Sequence, residues 1–324
     1  MTEYVRPDVA KFLAFLNALP GPRTHEMSAP QARQAMVAMR DLADAPVGEL
    51  AVIRDVEMPG PAGPIRLRVY DAQATRVPGP VIVFFHGGGF VIGDLDSHEP
   101  VCAEIARGLG LPVVSVDYRL APEAPFPAAP EDCEAAARWI AGSPEALGLK
   151  VTGIVTAGDS AGGALTITTT LALRNAPAAV PVIAQWPLYP VVDRAGDYPS
   201  YAAFADGYLL SSDTMRWFDE AYRPDPSDWR GAPLGADHAG IPPTLVVTAS
   251  LDPLRDQGRA YAGALIAAGV PTVYRECAGN IHGWANLRRA IPSSEGDLQG
   301  CLMALRAIIA EAEANRVMTQ AAQA

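Results

Sequence analysis

The stretch GIVTAGDSAGGALTITTTLAL, residues 153–173, reads as a strand, a tight turn and a helix in immediate succession. Within it, Gly158-Asp159-Ser160-Ala161-Gly162 matches G-x-S-x-G, a pattern that holds a nucleophile on a strained strand-to-helix turn. The flanking glycines let neighbouring backbone pass without a clash. Taken alone, the pentapeptide also fits an ordinary helix start capped by Asp159 or Ser160. The strand before it and the helix after it are the context that the catalytic reading requires.

Around this stretch the chain alternates. Short apolar, β-rich runs occur at 51–58, 65–70, 81–85, 112–117, 153–157, 182–186, 244–249 and 271–277. From the third run onward they are separated by helical segments at 97–109, 129–141, 161–175, 254–268 and 297–314. Runs such as VIVFF are apolar throughout, as strands buried on both faces must be, and alternation with helices predicts a mainly parallel sheet. The first two runs, joined through PGPAGP, predict an antiparallel edge.

Two segments break the rhythm. Residues 1–46 carry Phe12, Phe15, Leu16 and Leu19 at helical spacing. Residues 189–241 are rich in Pro, Gly and Asp, with one helical patch at 212–222. An insertion of that size predicts a lid or cap over a core formed by 47–188 and 242–324. Phe12, Phe15, Phe204, Tyr208, Leu209 and Leu210 are candidates either for a pocket lining or for the surface that buries the cap on the core.

Composition narrows the class. Against 36 acidic residues stand 25 basic ones, a net charge of −11, and no basic cluster interrupts the balance, so nucleic acid and anionic membrane are excluded as partners. The amino terminus is acidic where a signal peptide is basic, and no apolar run reaches the length of a membrane span, which predicts a cytoplasmic protein. Cys102, Cys133, Cys277 and Cys301 are widely spaced and form no C-x-x-C pair. They predict free thiols, with no metal site and no cofactor.

A second chemical element follows the strand VIVFF: His86-Gly87-Gly88-Gly89-Phe90. Consecutive glycines can turn backbone N–H groups toward one point, where they stabilise a developing oxyanion. No Walker-type Lys follows, which separates this loop from a phosphate cradle. Ala161, the residue after Ser160, supplies a further N–H. His86 is expected to hold the loop's shape.

A serine hydroxyl needs a base. Of the five histidines, His25 lies in the amino-terminal segment, His98 begins a helix and His238 sits in the insertion. His282 lies just after the last strand, on the sheet edge that also carries Ser160. The acid that orients it is expected between the two in sequence. Asp252, next to the end of the strand TLVVTA, is the first candidate and Asp256, one turn on, the second. Asp252-Pro253 also fits a plain helix N-cap.

Together these motifs resemble the hormone-sensitive lipase family of esterases, also called bacterial family IV. The resemblance rests on HGGGF at 86–90, DYRLAPE at 117–123, FPAA at 126–129, GDSAGG at 158–163, DGYLL at 206–210, DPLRD at 252–256 and HGW at 282–284. It implies an α/β-hydrolase fold with a mainly parallel eight-stranded sheet and a helical cap. It further implies hydrolysis of small-molecule carboxylic esters by a Ser160–Asp252–His282 triad, with Gly88, Gly89 and Ala161 as the oxyanion hole. Similar proteins often form dimers through the last strand and neighbouring helices, and the resemblance leaves monomer and homodimer both open. Trp284 stands where the family usually has Phe, Asn280 replaces a usual apolar residue, and Ala164 a frequent Asn. The first two flank the base and are expected to narrow or polarise the pocket. Amidase, deacetylase or lipase scope on this scaffold, and a binding protein that has lost its base, are the alternatives.

Overall fold

The computed structural model describes residues 3–323. Eight strands form one sheet in the order β1-β2-β4-β3-β5-β6-β7-β8, comprising β1 (Val52–Gly60), β2 (Gly63–Asp71), β3 (Gly79–Phe85), β4 (Val113–Val116), β5 (Val151–Asp159), β6 (Val182–Leu188), β7 (Thr244–Leu251) and β8 (Thr272–Ile281). β2 runs antiparallel to β1 and β4, and every other pairing is parallel. This is the α/β-hydrolase architecture expected, with the antiparallel hairpin at one edge.

The uninterrupted apolar runs are explained by layers on both faces. Val81, Val83 and Phe85 of β3 join the core shared with α4 (Ala128–Ala141) and α5 (Ala161–Asn175). Ile82 and Phe84 point the other way, into the core shared with α3 (Glu99–Leu109) and α9 (Ser294–Gln323). Successive side chains of a strand alternate faces, so a strand covered on both sides has no position left for a charge. α8 (Arg255–Ala267) packs on the α5 side through Tyr261 and Leu265.

After β3 the chain crosses to β4 on one side, then returns so that β5 pairs with β3 on the other. The carboxyl ends of β3 and β5 therefore flank a topological switch point, the place where open α/β sheets hold ligands. The glycine loop leaves β3 there and Ser160 leaves β5 there.

Several elements outrun their sequence limits. β5 continues to Asp159, β8 to Ile281, and α9 begins at Ser294. The amino-terminal segment holds α1 (Pro7–Ala18) and α2 (Ala29–Ala43), and the insertion holds the short α6 (Pro199–Ala203) before α7 (Ser212–Tyr222). Val9, Phe12 and Leu13 of α1 bury against Leu251, Ile281, Leu287 and Ile291 of the main body, together with Phe204 of α6's C-cap.

A buried charged pair ties the C-cap of α2 to the main body. Arg288, 4% exposed, donates from Nε to Asp44 at 2.9 Å, and Asp44 is 1% exposed. Arg289 and Ala290 also donate their N–H groups to Ala43 O at 2.9 Å. Removing one member of a buried ion pair leaves the other charge without compensation, which costs about 3–5 kcal/mol. Asp44→Ala should therefore shift the urea midpoint sharply downward, whereas a midpoint unchanged from wild type would show that Arg288 finds full compensation elsewhere.

Candidate active site

At the end of β5, Ser160 has φ +56° and ψ −116°, a conformation costly for a residue with a Cβ. Neighbouring elements enforce it. A Cβ on Gly162 would run into Phe85 O, and one on Gly158 into Phe85 O and Gly162 O, so only glycine lets the turn and α5 press this closely onto β3. The Ser160 N–H donates to Leu188 O at 2.9 Å, closing the turn against β6.

Three sequence candidates meet across the sheet edge. His282 Nε2 lies 2.9 Å from Ser160 Oγ, and His282 Nδ1 lies 2.8 Å from Asp252 Oδ2. An ionised carboxylate only accepts, so Nδ1 carries the proton and Nε2 faces Ser160 as an acceptor. Asp252 is fully buried, and its second oxygen accepts the Leu254 N–H at 2.8 Å. α8 begins at Arg255 with Leu254 at its N-cap, so Asp252-Pro253 lies in the turn before the helix and not at the N-cap and first helical position that the pair also suggested. Asp256 is turned away, bonded to Arg255, Arg259 and the Ser200 N–H.

The glycine loop faces the same point. Gly88 has φ +118° and Gly89 +61°, and among the described residues no protein acceptor takes the N–H groups of Gly88, Gly89 or Ala161. All three residues line one cavity of about 750 Å³ with Ser160 and His282.

A buried polar cluster holds that loop. Asp159 Oδ1 accepts the Gly87 N–H at 2.8 Å and contacts His98 Nε2 at 3.2 Å, and Ser97 Oγ meets His98 Nδ1 at 2.9 Å. Asn286, downstream of His282, reaches the other Asp159 oxygen at 3.3 Å. His86 donates from Nδ1 to Gly87 O at 2.8 Å and stacks on Tyr118, whose hydroxyl donates to His86 O at 2.7 Å. His86 therefore holds the loop's shape, as anticipated. The parts of Asp159 and His98 were not legible, because a residue inside the G-x-S-x-G pattern and a helix-starting histidine each have an ordinary local explanation.

The cavity wall corrects part of the lining expected from sequence. Phe12, Leu209 and Leu210 line it, joined by Leu16, Met36, Met215 and Phe218. Phe15 points to solvent at 58% exposure, while Phe204 and Tyr208 pack into the α1 contact instead. Helical spacing marks a face and does not say whether that face meets a wall or a void. Asn280 and Trp284 are likewise both fully buried and outside the lining. Trp284 packs edge-on behind Tyr189, which in turn packs edge-on against His282. Both departures thus lie behind His282 and away from the cavity wall.

The sequence matches the α/β-hydrolase-fold family over residues 82–286. It is 37% identical to esterase LipI of Mycobacterium tuberculosis over 84% of this chain and 87% of that one. It is 33% identical to an ethyl acetate hydrolase of Pseudomonas putida over 94% and 98%. Among solved structures, an α/β-hydrolase enzyme from the metagenome of Lake Arreo, Spain, superposes with a TM-score of 0.89 at 36% identity, covering 94% of this chain and 98% of that one.

The buried cluster makes stability pH-dependent. Burial, and then the neighbouring His98, push His86 down to about 4 from 6.5. Burial works against the Asp159 charge, but His98, His86 and the Gly87 N–H outweigh it and hold that carboxyl below its usual range. Each folded-state value lies below its unfolded counterpart, so the unfolded chain binds more protons in acid. The contribution from His86 is complete above about pH 6.5 and is lost as pH falls to 4, roughly 3 kcal/mol in all, with Asp159 adding to the loss at lower pH. Urea titrations from pH 7 to 4 should show this decline. His86→Asn, which keeps a donor for Gly87 O, should flatten it; an equal slope in the variant would remove His86 as its source.

Proposed function

The chain belongs to the hormone-sensitive lipase family of α/β-hydrolase-fold carboxylic ester hydrolases, and from that premise we propose that it cleaves short- to medium-chain esters through an acyl-enzyme on Ser160. His282 takes the Ser160 proton as the hydroxyl attacks the ester carbonyl. The N–H groups of Gly88, Gly89 and Ala161 receive the oxyanion, and His282 then protonates the departing alcohol. Water repeats the sequence on the acyl-enzyme. Asp252 keeps the imidazole in the tautomer that presents Nε2 and stabilises its cation.

The observation that carries this reading is the continuous relay from Asp252 through His282 to Ser160, at 2.8 and 2.9 Å, beside three unengaged backbone donors. A binding protein that had lost its base would lack the middle of that relay.

In the same proposal, residues 1–46 and 189–241 form a cap and the rest forms the core. What supports the division is that these two segments, through α1, α2, α7 and the loops beside them, supply most of the apolar wall of the cavity at Ser160. A cavity of about 750 Å³ with Met and Leu on its walls suits a small ester with an aliphatic part. We place the protein in a reducing compartment, the cytoplasm, on the strength of four buried free thiols. Among the described residues no helix is long and apolar enough to cross a membrane. The proposal includes a homodimer through β8, an edge strand that exposes Val273 and Tyr274. Light scattering should give twice the chain mass; the mass of one chain would remove the dimer.

Ser160→Ala should lower turnover of p-nitrophenyl butyrate by about 10⁴ or more. Asp252→Asn should also fall steeply while Asp256→Asn stays near wild type. Near-normal hydrolysis by Ser160→Ala would refute the assignment. Running p-nitrophenyl esters of increasing chain length beside anilides separates esterase from amidase scope.

A further inference from the structure

Asn280, the departure from the family pattern two residues before His282, belongs to a structure that the sequence does not announce. Between the paired positions Ala249–Cys277 and Leu251–Ile281, the single residue Ser250 of β7 faces Ala278, Gly279 and Asn280 of β8. Such a bulge bends its strand and leaves backbone groups outside the ladder. Here the bend ends one residue before His282, and it brings the residue after Leu251 opposite the residue after Ile281. Those residues are Asp252 and His282.

The bulge is held from both sides. The Gly279 N–H donates to Ser250 Oγ at 2.7 Å. The carbonyls of Ala278 and Gly279 are taken by Arg6, through Nε at 2.7 Å and through its own N–H at 3.3 Å. Gly279 has φ +73°, and a Cβ there would come within 2.8 Å of Arg6 and of the Tyr4 ring, so the amino-terminal arm lies flat on the bulge. The Arg6 guanidinium then grips Asp297 of α9 through two nitrogens, at 2.6 and 3.0 Å. Asn280 completes the circuit: its Nδ2 donates to Asp297 at 2.9 Å and to Ser294 Oγ at 3.0 Å, while its Oδ1 accepts the Ile281 N–H at 3.0 Å. An apolar residue at 280 would take away one of the two donors to Asp297 Oδ2 and the side-chain acceptor of the Ile281 N–H.

We propose that Arg6, Asp297 and Asn280 are positioning residues for the ester-hydrolysis reaction, clamping the β8 bulge so that His282 meets Asp252 and Ser160 in register. The inference rests on the reading of Ser160, Asp252 and His282 given above. A shift of the base by a fraction of an ångström slows proton transfer and leaves the cavity that binds substrate unchanged, because none of the three clamp residues lines it.

The test compares Asn280→Leu, Arg6→Gln and Arg6→Lys with wild type and Ser160→Ala, using p-nitrophenyl butyrate and counting active sites with an organophosphonate. In Asn280→Leu and Arg6→Gln, kcat per active site should fall about tenfold. KM should stay within about twofold of wild type. The downfield proton resonance of the His282–Asp252 hydrogen bond should broaden or shift. Arg6→Lys, which keeps the charge, should recover most of kcat. Because Arg6 is partly exposed, Arg6→Gln decides the matter if Asn280→Leu fails to fold. Full kcat per site in Arg6→Gln with only a lower Tm would overturn the clamp. If Ser160→Ala were itself active, the underlying reading of the site would fall, and the clamp with it.

Discussion

Ser160 sits at positive φ on a turn squeezed between two strands and a helix, and a conformation of that kind costs a non-glycine residue roughly 1–3 kcal/mol. The rest of the site depends on this constraint being met. Gly158 and Gly162 allow the backbone of β3 and α5 to close on the turn, and the Leu188 carbonyl caps it from β6. With the hydroxyl thrust clear of the sheet edge, loops from the ends of β3, β7 and β8 can converge on it. The hydrolase chemistry proposed for the chain is a consequence of where that one side chain is forced to stand.

Convergence alone would leave three loops free to drift, and buried polar groups hold them. Asp159 joins the turn to Gly87 of the glycine loop, to His98 at the start of α3 and to Asn286 beyond the base. On the far side, Arg6, Asp297 and Asn280 brace the bulge ahead of His282. Such groups are costly when unpaired, and paired in this way they favour one arrangement over its neighbours.

The two segments outside the α/β alternation contribute differently from the core. α1 and α2 attach through an apolar contact, through the Asp44–Arg288 pair and through the arm around Arg6. α7 attaches at the glycine loop: Phe218 fills the space beside Gly89, Tyr222 stacks on Phe90 with ring centroids 3.9 Å apart, and Arg194 bonds Asp219 across the faces of those rings. The wall over Ser160 is thus packed directly on the glycine loop beneath it.

The sequence by itself determined the parallel sheet, because strands covered on both faces read as near-continuous apolar runs, as VIVFF does. It also marked the G-x-S-x-G turn, the glycine loop and the chain order of Ser160, Asp252 and His282, since each needs a particular residue type at a particular strand end. Between Asp252 and Asp256 it left a choice, and the path of the β7–α8 turn puts Asp252 beside His282. It left Phe15, Phe204 and Tyr208 indistinguishable from Phe12 and Leu209, because periodicity describes a face and says nothing of what the face meets. The direction of Asn280 and Trp284, both turned inward behind the base, was decided only by a bulge in β8 and by an arm more than two hundred and seventy residues away in the chain. A bulge arises from register between two strands and a brace from contact between distant segments, and neither is a property of any local stretch of residues.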